Sequence, residues 1–311
     1  MPEHRSPVDH VPFALVDVFA DTPLTGNPLA VVDVRHLDDA PPVAWMRKAA
    51  REFNQAETTF VVRPKAAAGG DVAARLRSFT AGGTEVFGAG HNALGAWWWL
   101  FETGRVTRPE DGGRVTQQIG DRESDVLVLG DALGMVQELA RFDREAEPEA
   151  VADALGLRME DLDLSLTPRS VDTGAGHLLV AVADTAALTR CAPEKAALVR
   201  VARTCHAQGV YAVAIGDERP VAQVSARFFN PGSGLDEDPA TGSAAGPLCA
   251  CLDRLGLLGT SKRLAIAQGE SMARPSVIDV HLDHGSRPVV TGRCAISVDG
   301  RLSTGPMPRG E

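Results

Sequence analysis

Three consecutive acids, Asp236, Glu237 and Asp238, run directly into "PATGSAAGP", a stretch of small residues that continues as an apolar helix. Like charges crowded together resist ionising side by side, so at least one must turn away or have a raised pKa. Asp238 lies nearest the glycine loop and is expected to point inward. The loop supplies the complementary chemistry. The first turn of a helix leaves about four backbone N–H groups without intrahelical acceptors, and together with the helix dipole they favour a carboxylate or phosphate. Gly242 removes the side chain that would keep a ligand from those amides. Pro247 is expected within about one turn of the helix start, because proline is poorly tolerated deeper inside.

The same design occurs earlier, where "GAGHNALGAWWWLF" sets Gly90 and His91 ahead of another apolar run. His91 and Ser243 fall at matching cap positions. A histidine there could shuttle a proton or bind a substrate carboxylate, and a serine is a routine cap. A further acid, Glu57, sits between "REFNQA" and the strand-like "TTFVV". A carboxyl flanked by apolar strand residues can be partly desolvated, which raises its pKa toward the working pH and suits a general base. Each of these residues also has an ordinary structural reading: a satisfied histidine, a helix-capping serine, an exposed glutamate closing a helix. Two glycine loops of one design in a single chain favour the functional one.

Cys249 and Cys251 lie a turn or more inside the second helix on different faces, which reads as core packing. A racemase working with two thiols would place one cysteine at each glycine-rich helix start. His91 and Ser243 stand there instead. The five cysteines are odd in number and lack paired CxxC spacing, so neither a disulfide framework nor a structural zinc site is indicated.

The elements that would carry these residues follow from periodicity. "FALVDVFA" and "GNPLAVVDV" are β-rich runs joined by a turn at Pro23 to Pro28, and Trp45, Met46, Ala49, Ala50 and Phe53 recur at helical spacing before the "TTFVV" strand. Trp97, Trp98 and Trp99 cover almost the whole circumference of any helix, and a helix apolar all round has to be wrapped by other elements. Overlaying "GAGHNALGAWWWL" on "ATGSAAGPLCACL" at an offset of about 152 residues pairs Gly90 with Gly242, His91 with Ser243 and Leu100 with Leu252. This weak duplication implies two similar domains, each a curved sheet around a central helix, with a boundary in the polar stretch Arg105 to Arg114. The acidic run "REAEPEAVADALGLRMEDLDL" reads as a surface helix of the second half.

A chain of 311 residues with 44% hydrophobic content can bury a substantial core. Its formal net charge of -10 argues against nucleic-acid or membrane-surface partners and for a small organic substrate. The N-terminal "MPEHRSPVDHV" has no apolar core of signal-peptide length, and no run reaches the roughly 18 to 20 apolar residues of a membrane span, so a cytoplasmic location is expected. Neither a HExxH helix nor a Walker loop is present in the sequence.

The segments "DVFADTPLTGNPLAVV", "AREFNQAETTFV", "FTAGGTEVFGAGHNALGA", "FFNPGSGLDEDPATGSAAGPL" and "QGESMARPS" resemble, in order and spacing, the phenazine-biosynthesis PhzF-like isomerase family. The resemblance runs from about residue 13 to beyond 290. It implies the diaminopimelate-epimerase-like α+β fold: two pseudo-symmetric domains, each a curved β-sheet wrapped around a central helix, with the active site in the cleft between them. The N-terminal domain is placed at residues 1–112, completed by a C-terminal strand near 290–304, and the second at 113–289. The implied activity is cofactor-free isomerisation of a small carboxylate-bearing metabolite by proton transfer, commonly in a homodimer, with no metal. The acid and base role lands on Glu57, with His91 and Asp238 as supporting catalytic groups. Asn27, Gly90, Asn92, Thr241, Gly242 and Ser243 are the expected substrate-binding positions. Where the family usually has "FTP" and "FAGHP" or "FAGHA", this chain has Phe79-Thr80-Ala81 and Gly88-Ala89-Gly90-His91-Asn92, departures that bear on substrate identity more than on reaction type. Amino-acid epimerisation on the same fold, and a binding protein without turnover, are the competing functions.

Overall fold

The structure is a computed structural model that describes residues 10–64, 72–88, 90–216 and 222–305; most of the polar N-terminal stretch, residues 1–9, and Ala89 of the first glycine loop lie outside the described residues. In chain order the first half comprises β1 (His10–Val18), β2 (Asn27–Asp33), α1 (Val43–Phe53), β3 (Glu57–Val62), β4 (Val72–Thr80), β5 (Glu85–Val86), α2 (His91–Glu102), β6 (Arg114–Ile119), β7 (Arg122–Leu129) and β8 (Ala132–Val136). The second comprises β9 (Arg141–Glu145), α3 (Pro148–Leu155), β10 (Arg169–Asp172), β11 (Gly176–Val182), α4 (Thr185–Arg190), α5 (Lys195–Thr204), β12 (Gly209–Ile215) and β13 (Val224–Asn230). It continues through β14 (Leu235–Asp238), α6 (Gly242–Arg254), β15 (Arg263–Gln268), β16 (Ser276–Leu282), β17 (Pro288–Gly292) and β18 (Cys294–Ser303).

Two compact units divide the chain. Among the described residues, those of 10–24, 28–133 and 293–305 form one, and those of 25–27 and 134–292 form the other. The division falls after Leu133 and not near residue 112, because β6 lies parallel to β4 and β7 antiparallel to β6, so both strands finish the first sheet. At its other edge β18 runs antiparallel to β1 from Val18↔Cys294 to His10↔Ser303. The acidic run of the second half does begin a helix, but α3 buries Val151, Ala152, Ala154 and Leu155 on one face.

The weak sequence duplication is a strong topological one. In the first unit β2 and β3 are parallel across α1, β3 and β4 antiparallel, β4 and β5 antiparallel, and β4 and β6 parallel across α2. The second unit repeats every step: β11 and β12 parallel across α4 and α5, β12 and β13 antiparallel, β13 and β14 antiparallel, β13 and β15 parallel across α6. The fold is the α+β, epimerase-like one expected, a sheet around a central helix in each unit.

Strand alternation decides what each helix covers. Phe60, Val62 and Phe79 pack with Met46, Ala49 and Ala50 of α1. Successive side chains of a strand point to opposite faces, so Glu57, Thr59 and Val61 look the other way, toward α2. That helix packs on β1, β3, β7 and β18, with Trp97 and Trp99 fully buried and the Trp97 indole N–H donating to Gln117 Oε1 at 2.7 Å. In the second unit Val210, Ala212 and Phe229 join the cluster under α3, α4 and α5, which leaves His177, Tyr211 and Phe228 on the face toward α6.

Close approach of these central helices depends on glycine. Gly95 and Gly246 are each the fifth residue of their helix. A Cβ on Gly95 would stand 2.8 Å from both Leu29 Cδ2 and Val18 Cγ2, and one on Gly246 would overlap the Gln137 amide. Pro247 follows as the sixth residue, so α6 starts about a turn and a half ahead of its proline and not within one turn of it. In an exposed helix Gly→Ala gains about 1 kcal/mol. Gly95→Ala is instead expected to lower stability by about 1–3 kcal/mol through overpacking, read from the shift in the urea midpoint; a stabilised variant would show that α2 is not seated against β1 and β2.

Candidate active site

Glu57 opens β3 opposite Thr80, the last residue of β4, and α2 begins shortly after. One pleat further along the same face, Thr59 Oγ1 and Ser78 Oγ are 2.9 Å apart, and Asn92 Nδ2 donates to Ser78 Oγ at 3.1 Å. Glu57 therefore projects on the face that carries the start of α2, with its Oε2 withdrawn from water. Asn92 closes the glycine loop. Its Oδ1 accepts from the amides of Gly90 (2.7 Å) and Ala93 (2.9 Å), and its Nδ2 also donates to Gly88 O at 3.0 Å. Every polar position of that side-chain amide is used, so Asn92 holds the loop and has only its backbone N–H to offer a substrate. The helix has no side-chain cap at Gly90, and the N–H groups of His91 and Asn92 are the ones any helix start leaves without an intrahelical acceptor.

His91 is half-buried, and its Nε2 is withdrawn from water without a hydrogen-bond partner among the described residues. Burial pushes its pKa down to about 4. At neutral pH the ring is an uncharged hydrogen-bonding group, so it can meet a substrate only as a neutral donor or acceptor.

In the second unit the acidic triplet separates. Asp236 is exposed and pairs with Lys195 at 2.7 Å. Glu237 is drawn to Arg227, whose Nε and Nη2 reach its two oxygens at 2.8 and 2.9 Å, and accepts from Ser271 Oγ; burial would raise its pKa, but these bonds hold it below the usual carboxylate range. Asp238 alone turns inward and is 8% exposed. Burial raises its pKa to about 6 against the pull of Thr241 Oγ1, which donates at 2.5 Å, and of Asn27 Nδ2, which donates at 2.9 Å.

The groups around Asp238 form one buried network. Asn27 gives its second amide proton to Ala240 O at 2.8 Å, and Gln268 Nε2 donates to Asp238 O at 2.7 Å and Thr241 Oγ1 at 3.0 Å. Gln268 Oε1 accepts from Thr241 N and from the Tyr211 hydroxyl. Asn27 and Thr241, expected at the substrate, fix the Asp238 carboxyl, and Asn27 Oδ1 is buried with no hydrogen-bond partner among the described residues. The Thr25–Gly26 backbone ahead of Asn27 is held by Arg274, whose guanidinium donates to both carbonyls. Thr241 is the cap of α6, Gly242 its first residue and Ser243 its second, so Ser243 stands one position inside the helix and not at its cap. Its hydroxyl is 3.0 Å from Nε2 of His177.

Gln268, Tyr211 and His177 were not singled out from sequence. Gln268 stands in the "QGESMARPS" block. His177 had a visible signal, since the tetrapeptide "GAGH" that ends at His91 occurs again ending at His177. The first copy opens a helix and the second a strand.

The two units do not repeat their chemistry. By ladder register the position of Glu57 is held in the second unit by Gly209, where a Cβ would lie 2.5 Å from the Phe228 ring and 2.8 Å from Phe229 O. The position of Asp238 is held in the first by Val86. Among the described residues no cluster of three or more His, Cys, Asp or Glu could hold a metal, and no helix is long and apolar enough to cross a membrane.

The sequence profile of the phenazine biosynthesis-like proteins matches residues 16–300. The chain belongs to that family. It is 31% identical to the trans-2,3-dihydro-3-hydroxyanthranilate isomerase of Pseudomonas fluorescens over 86% of this chain and 88% of that protein. It is 30% identical to the protein of the same name in Pseudomonas aeruginosa, covering 93% and 98%. Among solved structures, a phenazine biosynthesis protein of this family from Bacillus anthracis superposes with a TM-score of 0.81 at 22% identity, over 94% of this chain and 99% of that one. A predicted epimerase from Pseudomonas aeruginosa gives 0.76 at 30% identity with the same coverage. A hydroxyproline epimerase from Agrobacterium vitis shares the fold at 0.57 and 13% identity, over 95% of each chain. The family therefore spans the glycine loops and the carboxylates described above.

Asp238 should leave a signature in stability. Its carboxyl loses its proton near 3.8 when unfolded and near 6 when folded, so the folded chain holds an extra proton between those values. The stability it contributes is complete below about pH 4 and is lost as pH rises through 6. The unfolding free energy of the wild type relative to Asp238→Asn is expected to fall by on the order of 3 kcal/mol between pH 4 and pH 7, measured by urea titration. A pH-independent difference would return the carboxyl to an ordinary pKa.

Proposed function

We propose that the protein is a cofactor-independent isomerase that relocates a proton within a small carboxylate-bearing metabolite, with Glu57 as acid and base. The observation that carries this reading is the family match across residues 16–300 together with the placement of Glu57, on the face of β3 that carries the start of α2, with one carboxylate oxygen out of water. The enzyme class follows the named relatives, which are isomerases at about 30% identity over most of the chain.

In this mechanism Glu57 takes a proton from a carbon next to an unsaturated, carboxylate-bearing system. The electron pair left behind delocalises into that system, and the same carboxyl returns a proton to another carbon, so the formula of the substrate is unchanged. The amides that open α6, with the Ser243 hydroxyl, are the donors for the substrate's carboxylate and for the charge that develops on it. Neutral His91 supplies a hydrogen bond, and Asp238, titrating near 6, holds or releases a proton close to neutral pH.

Inversion of an amino-acid α-carbon by two thiols is disfavoured. All five cysteines are buried, and burial pushes the thiol of Cys191 up to about 11 and that of Cys249 up to about 12, far from the thiolate such chemistry needs.

Incubation with trans-2,3-dihydro-3-hydroxyanthranilate in deuterium oxide tests the reading. Wild type is expected to turn it over with solvent deuterium incorporated at carbon, and Glu57→Gln to lose at least about a hundredfold in kcat with KM little changed. An unimpaired Glu57→Gln variant removes the glutamate from the mechanism. Tight binding with neither turnover nor exchange in the wild type would make the protein a sequestering one.

A further inference from the structure

His177 is the first inward-facing residue of β11, 2% exposed, and its Nε2 lies 3.0 Å from Ser243 Oγ at the start of α6. Its ring stands edge-on to Phe228, with centroids 5.0 Å apart and planes at 86°. Nδ1 is buried and has no hydrogen-bond partner among the described residues. Burial holds the ring's pKa down at about 4 against the opposing influence of Asp172, so at pH 7 it is neutral and has one proton to place.

The two placements differ in consequence. A proton on Nδ1 would leave a buried N–H with no acceptor, a kind of orphan that native structures rarely tolerate. A proton on Nε2 is donated to Ser243 Oγ and leaves only a lone pair unmet at Nδ1, the milder of the two. With Nε2–H donating, a lone pair of the Ser243 oxygen is occupied by the protein and its own O–H proton is released to turn elsewhere. Ser243 is half-buried, so that proton can reach a ligand.

We infer that His177 is a positioning residue whose Nε2–H fixes Ser243 as a hydrogen-bond donor to an anionic or carbonyl oxygen of the substrate. The inference rests on the reading above, in which Ser243 binds substrate. The fold alone does not require a histidine here: the same ladder position in the first unit is Leu29, packed against α2. A histidine in place of a leucine answers to the hydroxyl in front of it. It also gives that hydroxyl a direction, since an unconstrained serine accepts as readily as it donates and would not discriminate an oxyanion from a substrate N–H.

Long-range 1H–15N NMR of the wild type at pH 7, with the His177 signals assigned by their loss in His177→Gln, decides the tautomer. A protonated Nε2 and a bare Nδ1 are expected; the reverse pattern overturns the inference. The second measurement is calorimetric titration with 3-hydroxyanthranilate, a carboxylate probe. His177→Leu is expected to weaken binding about tenfold or more, whereas His177→Gln, whose amide N–H can reach the same oxygen, should stay within about threefold of the wild type. In a Ser243→Ala background His177→Leu should add nothing; an equal loss in both backgrounds refutes a role exerted through Ser243. If the wild type does not bind this probe, the substrate reading fails, and the tautomer measurement still decides the role of His177.

Discussion

A buried helix has to end somewhere, and the backbone groups at its end do not lose their polarity because the rest is apolar. The helices α2 and α6 are covered by their sheets along most of their length, and each begins with amides that no intrahelical carbonyl can satisfy. Two solutions are built in. At α2 a single side chain, Asn92, folds back over the loop and satisfies part of it from within. At α6 the work passes to a neighbouring strand, where Gln268 receives the Thr241 amide and returns hydrogen bonds to Thr241 and Asp238. Both leave the first helical amides for something outside the helix, so the same packing that makes a stable core also leaves hydrogen-bond donors at each helix start.

Duplication of the fold did not duplicate the reactive groups. The two carboxyls assigned to the site differ in place: Glu57 stands at the start of a central strand in the first unit and Asp238 on the short return strand in the second. At each counterpart position, Gly209 and Val86, the acid is absent. Gly209 cannot even accept a methyl group without meeting the Phe228 ring and the Phe229 carbonyl. An enzyme that inverts a centre by matched acids from two halves has reason to keep its halves chemically alike. One that moves a proton from place to place needs one good base and no matching one, and dissimilar halves suit that task.

The fold was legible because its signals are long and redundant. Three tryptophans in a row admit only a wrapped helix, and glycine loop followed by apolar helix occurs twice. The boundary was misplaced because the polar stretch at Arg105–Arg114 is a surface connection between α2 and β6, within a unit and not between units. For the site, residue type indicated the chemistry, but only the structure decided which polar atoms are already engaged. Asn92, Asn27 and Thr241 look like ligand-binding residues in a sequence, yet the Asn92 side chain bonds its own loop, while Asn27 and Thr241 both donate to Asp238, far from the first in sequence and three residues from the second. His177 was overlooked for a related reason. Strand register is what brings it to Ser243, and register cannot be read from a four-residue motif.

Burial keeps the two site histidines neutral at pH 7 in a chain with a formal net charge of -10. His91 and His177 titrate near 4 and Asp238 near 6, while the nearby arginines are engaged: Arg227 holds Glu237 and carbonyls at the end of α4, and Arg274 holds the Thr25–Gly26 turn. A guanidinium beside a catalytic carboxylate would stabilise its ionised form and weaken it as a base. In the proposed function, recognition of a substrate carboxylate by helix amides and a serine hydroxyl would avoid that conflict. The dipoles are fixed by the helices and fall off within about the first turn. An anion can therefore be bound by them while the proton affinity of a base elsewhere in the protein is left undisturbed.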